Sequence, residues 1–359
     1  MKQPAAPSST MLDEIREQPA ALERTLGAQW RHVQRFRQIM EAHRPRLIVL
    51  AARGTSDNAA EFARYLLEIS TGIPVSLSAP STYTLYKAAV DLRDALVVSI
   101  SQSGESTDTN LVLETAKKAG AVTVGITNEP ASALARLAEH VFLVRAGKER
   151  SVAATKTYTG QLLTIYLLAY ALGARFHEND LRRLPDWAEA ALKTEKEIAA
   201  CAGRYRFMRQ TVVVGRGLNY ANAFELSLKL METCYVVAER FSSADFLHGP
   251  IAMVERSFPV FAFAPAGVTW PGNREMIEKL NGIRAETLLF TDAGNPEARA
   301  YPRSICLPMK LARPGVAPED LYTPIPYIIP AQLFAACLAR EKGIDPDRPR
   351  TLTKVTKTM

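Results

Sequence analysis

Apolar residues fall into two rhythms along this chain. Between residues 11 and 43 they recur at near-helical spacing, at Leu12, Ile15, Leu22, Leu26, Val33 and Phe36, which predicts two helices broken near Pro19. Short β-branched runs follow: 47–54, 73–79, 95–101, 121–127 and 140–145 read as strands, with helical patterns between several of them, the clearest from Asn58 to Ser70. Apolar strands alternating with amphipathic helices imply a parallel sheet covered on both faces. A helical run from about 155 to 200 separates this unit from a second, which opens at 211–230 and carries further strand candidates at 258–265, 286–292 and 304–309.

The two units look like copies. Aligning Arg53-Gly54 with Arg216-Gly217 sets a glycine-ended strand before a helix in both, with Glu61 and Glu225 inside those helices at a register shift of one residue. The expected organisation is an N-terminal tail and helices (1–45), a first unit with a phosphate-binding loop (46–200), a second unit with a charged helix and a histidine loop (201–345), and a C-terminal tail (346–359).

A length of 359 residues suits two domains, and 47% apolar with 23% charged residues is an ordinary globular composition. The stretch 157–174 lacks charge, but Gly160, Gln161 and Gly173 make it a buried helix rather than a membrane span. No apolar signal segment opens the chain, which points to the cytoplasm. Cys201, Cys234, Cys306 and Cys337 are scattered without a CxxC pair, so buried thiols are expected rather than a disulfide or zinc framework. The net charge of +7 is spread among acids without a basic run, so it signals no nucleic acid and fits a small anionic substrate as well.

The sharpest local signal is at 97–109, where an apolar strand runs into Ser101-Gln102-Ser103-Gly104-Glu105-Ser106 before a helix. Hydroxyls, a flexible glycine and the unpaired amides of a helix N-terminus suit a phosphate, because the helix dipole favours an anion. An ordinary serine-rich cap would read the same way. No lysine follows as in a nucleotide-triphosphate loop. Ser56, in the next strand-to-helix loop, would open onto the same crevice at the carboxyl ends of the strands. The corresponding loops of the second unit carry almost no hydroxyls, which predicts one phosphate site per chain. Glu225, Lys229 and Glu232 fall at i, i+4 and i+7, on one helix face. That face is a solvated stripe of ion pairs or, against a pocket, an acid–base group. His248, beside Gly249-Pro250, is a polar loop residue or a proton-transfer group.

Together these segments resemble one family, the tandem SIS (sugar isomerase) domains that form the isomerase half of glucosamine-fructose-6-phosphate aminotransferase and the stand-alone glucosamine-6-phosphate deaminases. The matching stretches are 11–19 (MLDEIREQP), 53–59 (RGTSDNA), 101–106 (SQSGES), 149–156 (ERSVAATK), 215–233 (GRGLNYANAFELSLKLMET), 248–250 (HGP) and 349–359 (PRTLTKVTKTM), in the family's order. The resemblance implies an α/β fold of two doubly wound SIS domains, each a mostly parallel sheet flanked by helices on both faces. It implies Ser56, Ser101, Gln102, Ser103 and Ser106 as sugar-phosphate binders, Val152 with its backbone toward the sugar, and Lys229 beside them. Glu232 would be the proton-transfer base, Lys354 the lysine of the closing tail, and His248 the ring-opening acid or base reaching in from the neighbouring subunit of a homodimer.

The implied substrate is a phosphorylated amino sugar, with no metal and no cofactor. Since only a short segment precedes the first unit, the expectation is a deaminating isomerase without a glutaminase step, giving fructose 6-phosphate and ammonia from glucosamine 6-phosphate. Galactosamine 6-phosphate, a fructosamine 6-phosphate, a nitrogen-free sugar phosphate and a non-catalytic sugar-phosphate-binding regulator are the alternatives. Three positions depart from the aminotransferase pattern: Arg53 where cysteine is common, Met231 for a usual lysine, and Thr353 for a small residue.

Overall fold

The computed structural model describes residues 9–42, 44–312 and 318–354. Its first sheet is built from β1 (Leu47–Ala51), β2 (Val75–Leu77), β3 (Ala95–Ile100), β4 (Val122–Thr127) and β5 (His140–Leu143), in the order β2-β1-β3-β4-β5. The second contains β6 (Gln210–Gly215), β7 (Val237–Ser242), β8 (Pro259–Phe263), β9 (Glu286–Asp292) and β10 (Ser304–Leu307), in the order β7-β6-β8-β9-β10. Every pairing in both sheets is parallel. Read in chain order the two sheets have the same topology, which is the duplication expected from the paired Arg-Gly motifs.

Central strands β3 and β8 are buried along their whole length, as strands covered on both faces must be. Strand β7 has no counterpart among the sequence-predicted strands. It lies at a sheet edge, where Glu239 and Arg240 face solvent, so no continuous apolar run marks it.

The helices that shape the site are α1 (Thr10–Arg16), α2 (Gln18–Ala42), α3 (Thr55–Thr71), α4 (Thr107–Lys118), α5 (Lys156–Ala171), α6 (Tyr220–Cys234) and α7 (Pro324–Glu341). The first two break at Glu17 and not at Pro19, because a proline fits the first turn of a helix without losing a hydrogen bond. The predicted run from 155 to 200 is a series of helices: α5 ends at Ala171 and short helices follow from Glu178. As its lack of charge suggested, α5 is buried on nearly every face. One continuous apolar core joins residues of α2, α3, α5, α6 and α7 across both sheets. Within it α3 of the first half packs directly on α6 of the second. Among the described residues no helix is long and apolar enough to cross a membrane.

Both copies turn from strand to helix at a glycine in the left-handed region, Gly54 at φ 57° and Gly217 at φ 58°. The chain then enters α3 at Thr55 directly, whereas a 3-10 turn over Gly217–Asn219 precedes α6. That extra turn accompanies the one-residue shift between Glu61 and Glu225. Of the four cysteines only Cys234 is buried; Cys201, Cys306 and Cys337 are half-buried, so the expectation of buried thiols holds for one. The other three lie where a helix or an edge strand leaves one flank open.

Candidate active site

The connections that follow the parallel neighbours β1 and β3 run in opposite directions, to β2 and to β4, and the carboxyl ends of such a pair open a crevice. There the structure holds a cavity of about 320 Å³ lined by Arg53, Gly54, Thr55, Ser56, Ser101, Gln102, Ser103, Ser106, Val152, Ala154, Glu232, Leu352, Thr353 and Lys354. Two larger surface clefts, of about 620 and 890 Å³, are lined by none of the sequence-predicted site residues, and a third, of about 500 Å³ beside Tyr235, shares only Glu232 with them. Eight of those ten residues therefore meet in one cavity: Ser56, Ser101, Gln102, Ser103, Ser106, Val152, Glu232 and Lys354.

One wall is the loop from β3 to α4. Ser101 Oγ accepts from the Gly104 amide at 3.1 Å and Ser103 Oγ from the Glu105 amide at 3.3 Å, so each hydroxyl keeps its own proton to offer. Ser56 Oγ likewise accepts from Gln161 Nε2 at 2.9 Å. Ser106 is the N-cap residue of α4 yet makes no side-chain cap bond; its hydroxyl donates instead to Asp108 Oδ1 at 2.8 Å. A set of fixed hydroxyl donors at a helix N-terminus suits the oxygens of an anion.

Gly104 is what allows the loop to turn so tightly. Its φ is 66°, and a Cβ there would sit 2.4 Å from Ser132 Cβ and 2.2 Å from Ser132 Oγ. Ser132 caps the next helix by accepting from the Ala135 amide. Gly104→Ala is expected to lower unfolding free energy by about 1–3 kcal/mol through strain and the displaced cap, and to weaken sugar-phosphate binding. Urea unfolding and calorimetric titration check both effects; no change in either contradicts this role.

The opposite wall is α6. The face carrying Glu225, Lys229 and Glu232 is not the solvated stripe that spacing alone allowed. Lys229 and Glu225 are fully buried, and only Glu232 reaches the cavity, its side chain 24% exposed. Lys229 Nζ donates to Glu232 Oε2 at 2.6 Å and to Thr55 Oγ1 at 3.3 Å, and it lies 3.5 Å from Glu225 Oε1. Glu225 is held from the first half as well, by Asn58 Nδ2 at 2.7 Å and Thr55 Oγ1 at 3.4 Å. Burial alone would lower the lysine's pKa, but the two carboxylates outweigh it and hold the ammonium charged, above its ordinary range. Burial pushes Glu225 up to about 7 despite Lys229 and the Asn58 hydrogen bond.

This makes stability depend on pH with a definite sign. A carboxyl raised from 4.5 to about 7 on folding favours its protonated form in the native state. Its contribution is complete below pH 4.5 and is lost as the pH rises to about 7. Glu225→Gln does not titrate, so the wild type should lose on the order of 3 kcal/mol relative to that variant across this interval. Unfolding curves at stepped pH check it, and a constant difference contradicts it.

The last described residues of the C-terminal tail, Leu352, Thr353 and Lys354, also line the cavity. Lys354 Nζ donates to Glu149 Oε2 at 3.0 Å. Glu149 is fully buried and also accepts from the amides of Thr155 (2.9 Å) and Thr157 (3.2 Å) and from Thr157 Oγ1 (2.5 Å). Burial raises this carboxyl, but the Lys354 charge and the Thr157 and Thr155 hydrogen bonds outweigh it and leave it below the ordinary range. Upstream, the Arg350 amide donates to Tyr235 Oη at 2.8 Å while its guanidinium stacks 3.9 Å above that ring. Asp347 accepts from the Thr10 and Met11 amides at the start of α1, at 2.7 and 2.8 Å. Through Lys354 the tail is pinned rather than frayed; the sequence from 355 to 359 lies outside the described residues.

His248 is not brought to this cavity. It ends the short helix Ser243–Leu247, exposed to solvent. Two supporting residues carried no role in the sequence reading, Asp108 and Glu149, and Glu225 was placed there only on the shared helix face. Each acts through buried contacts between segments far apart in sequence, which no local pattern reveals. Among the described residues no group of three or more His, Cys, Asp or Glu side chains is arranged to hold a metal ion.

Two parallel α/β halves, with a hydroxyl-lined crevice at the switch point of the first, are the arrangement in which open α/β sheets hold ligands. The sequence profile of the SIS domain matches residues 42–171 and 207–324, so the chain belongs to the SIS-domain family, with two copies in tandem. It is similar to the isomerizing glutamine–fructose-6-phosphate aminotransferase of Pyrococcus horikoshii, 35% identical over 351 residues that cover 96% of this chain and 57% of that protein. The counterpart from Methanothermobacter thermautotrophicus is 35% identical over 346 residues, 96% of this chain and 56% of that one. The chain thus spans little more than half the length of these curated relatives. The C-terminal domain of glucosamine-fructose-6-phosphate aminotransferase from Francisella tularensis superposes with a TM-score of 0.86 at 30% identity, over 96% of this chain and 99% of that one. Glucosamine-6-phosphate deaminase from Thermotoga maritima shares the fold, with a TM-score of 0.77 at 20% identity over 98% and 100% of the two chains.

Proposed function

We propose that the chain is a deaminating aldose–ketose isomerase that converts glucosamine 6-phosphate and water to fructose 6-phosphate and ammonia. The observation that carries this reading is the meeting, in one cavity, of a hydroxyl cradle for an anion with a carboxylate, Glu232, held by a buried lysine. The similarity to the aminotransferase isomerase half supports a phosphorylated amino sugar as the ligand.

In this mechanism Ser56, Ser101, Gln102, Ser103 and Ser106 hold the phosphate and so fix the sugar carbons relative to α6. His248 of a second copy of the chain moves the proton that opens the ring, which makes the working form a homodimer. Glu232 takes the C2 proton and returns one to C1. Lys229, bonded to Oε2, orients the carboxylate; Oε1 makes no hydrogen bond among the described residues. The shift of the double bond leaves an imine at C2. Water adds there, and ammonia departs as the ketone forms. Lys354, anchored on Glu149, keeps the tail and its Thr353 and Leu352 over the cavity.

Lys354→Ala is expected to lower kcat by about 10–100-fold through loss of this closure, since misplacing a closing element costs on that scale. Steady-state kinetics check it, and an unchanged kcat contradicts it. The substrate is tested by comparing kcat/KM for glucosamine, galactosamine and fructosamine 6-phosphates. Glucosamine 6-phosphate should lead by about tenfold or more, the order of discrimination a few pocket contacts supply. Faster turnover of a ketosamine phosphate would replace this reading with deglycation.

A further inference from the structure

The hydroxyl cradle is neutral, yet it is built around a negative charge. Asp108, in the first turn of α4, has a side chain only 2% exposed, with Oδ1 accepting from Ser106 Oγ at 2.8 Å and from the Thr109 amide at 2.9 Å. Burial raises this carboxyl, but hydrogen bonds from Ser106 and Arg53 outweigh it and keep it ionised. A phosphomonoester dianion entering the cradle meets two obstacles: a like charge behind Ser106, and a Ser106 proton already given to that charge.

Arg53 answers both. It precedes Gly54 at the end of β1 and lines the cavity, and its Nε donates to Asp108 Oδ2 at 2.7 Å. Its side chain is 50% exposed, and its two terminal nitrogens make no hydrogen bond among the described residues. Among the described residues the other cation lining the cavity, Lys354, is committed to Glu149. A guanidinium fixed at one edge keeps its other donors oriented for a second anion, with little rotamer freedom left to lose on binding. If Ser106 swings away, Asp108 is still satisfied by Arg53 and Thr109.

We propose that Arg53 is the charged contact of the anion subsite: it pairs with the ligand's phosphate and, by holding Asp108, lets Ser106 turn its hydroxyl from that carboxylate to the ligand. This rests on the reading of the cradle as a phosphate site. The duplicated chain supplies its own control, because Arg216 occupies the equivalent place before Gly217 in the second half, reaches toward Ser243 Oγ and does not line this cavity.

The test titrates inorganic phosphate and glucosamine 6-phosphate into the full chain at low and moderate salt. Arg53→Gln is expected to weaken both by about tenfold or more and to flatten the salt dependence, as loss of a charge-assisted contact should. Arg53→Lys, which keeps the charge without the fork, should recover part of the affinity, and Arg216→Gln should bind as the wild type does. At saturating sugar phosphate, kcat should change far less than KM. Affinities within twofold for Arg53→Gln and wild type overturn the inference. So does full recovery in Arg53→Gln/Asp108→Asn, which would reduce Arg53 to a neutraliser of Asp108. Phosphate binding that depends on Arg53 without any release of ammonia leaves this inference standing and removes the deaminase reading. A wild type that binds neither anion removes both.

Discussion

Replacing Glu232 with glutamine is expected to lower kcat by about a thousandfold while leaving sugar-phosphate affinity nearly unchanged, the size typical of losing a positioned general base. The amide keeps the shape of the side chain, and its oxygen still accepts from Lys229, which holds the carboxylate at 2.6 Å in the native chain. What it cannot do is take a proton from C2. The phosphate is held by the opposite wall, from Ser101 to Ser106, so affinity should survive. Steady-state ammonia release together with calorimetric binding separates the two. Retained turnover would remove Glu232 from the chemistry, and loss of binding with turnover would make it a structural support.

Lys229→Met is the variant expected to do most damage to the fold. The native ammonium is fully buried between Glu225, 3.5 Å away, and Glu232, 2.6 Å away. Removing it leaves the buried Glu225 carboxylate without its counter-charge and facing Glu232, and breaking a buried ion pair costs about 3–5 kcal/mol. Part of that loss should be relieved by protonating Glu225, which burial already pushes up to about 7. Lys229→Met/Glu225→Gln should therefore regain stability at neutral pH without regaining activity, because Glu232 still lacks its partner. Urea unfolding at pH 7 alongside turnover checks the pair. A loss of stability below about 1 kcal/mol in the single variant would mean that the charges are solvated and the network is not what holds α3 to α6.

The strands were legible because buried parallel strands must be continuously apolar, as β3 and β8 are. Strand β7 escaped the same reasoning since an edge strand with exposed Glu239 and Arg240 carries no such run. The loop from Ser101 to Ser106 could be read from composition alone, as hydroxyls and a glycine at a strand end. The meaning of the α6 stripe could not. Spacing puts Glu225, Lys229 and Glu232 on one face, but only the packing of α6 on α3 decides that Glu225 and Lys229 are dry while Glu232 meets the cavity. The supporting roles of Asp108, Glu149 and Glu225 were hidden in the sequence for the same reason. Their partners, Arg53, Lys354 and Asn58, come from other segments, and the resemblance to a family gave none of the three carboxylates a role, although Glu149 and Glu225 lie inside its matching stretches.

The reaction itself is tested most directly by incubating the purified chain with glucosamine 6-phosphate, in the absence of glutamine, while ammonia and fructose 6-phosphate are followed together. Equal appearance of the two products, matched to the sugar consumed, is the expected result. Saturable binding of the sugar phosphate with neither product would contradict it, and would leave the chain as an isomerase for another phosphosugar or as a sugar-phosphate-binding regulator.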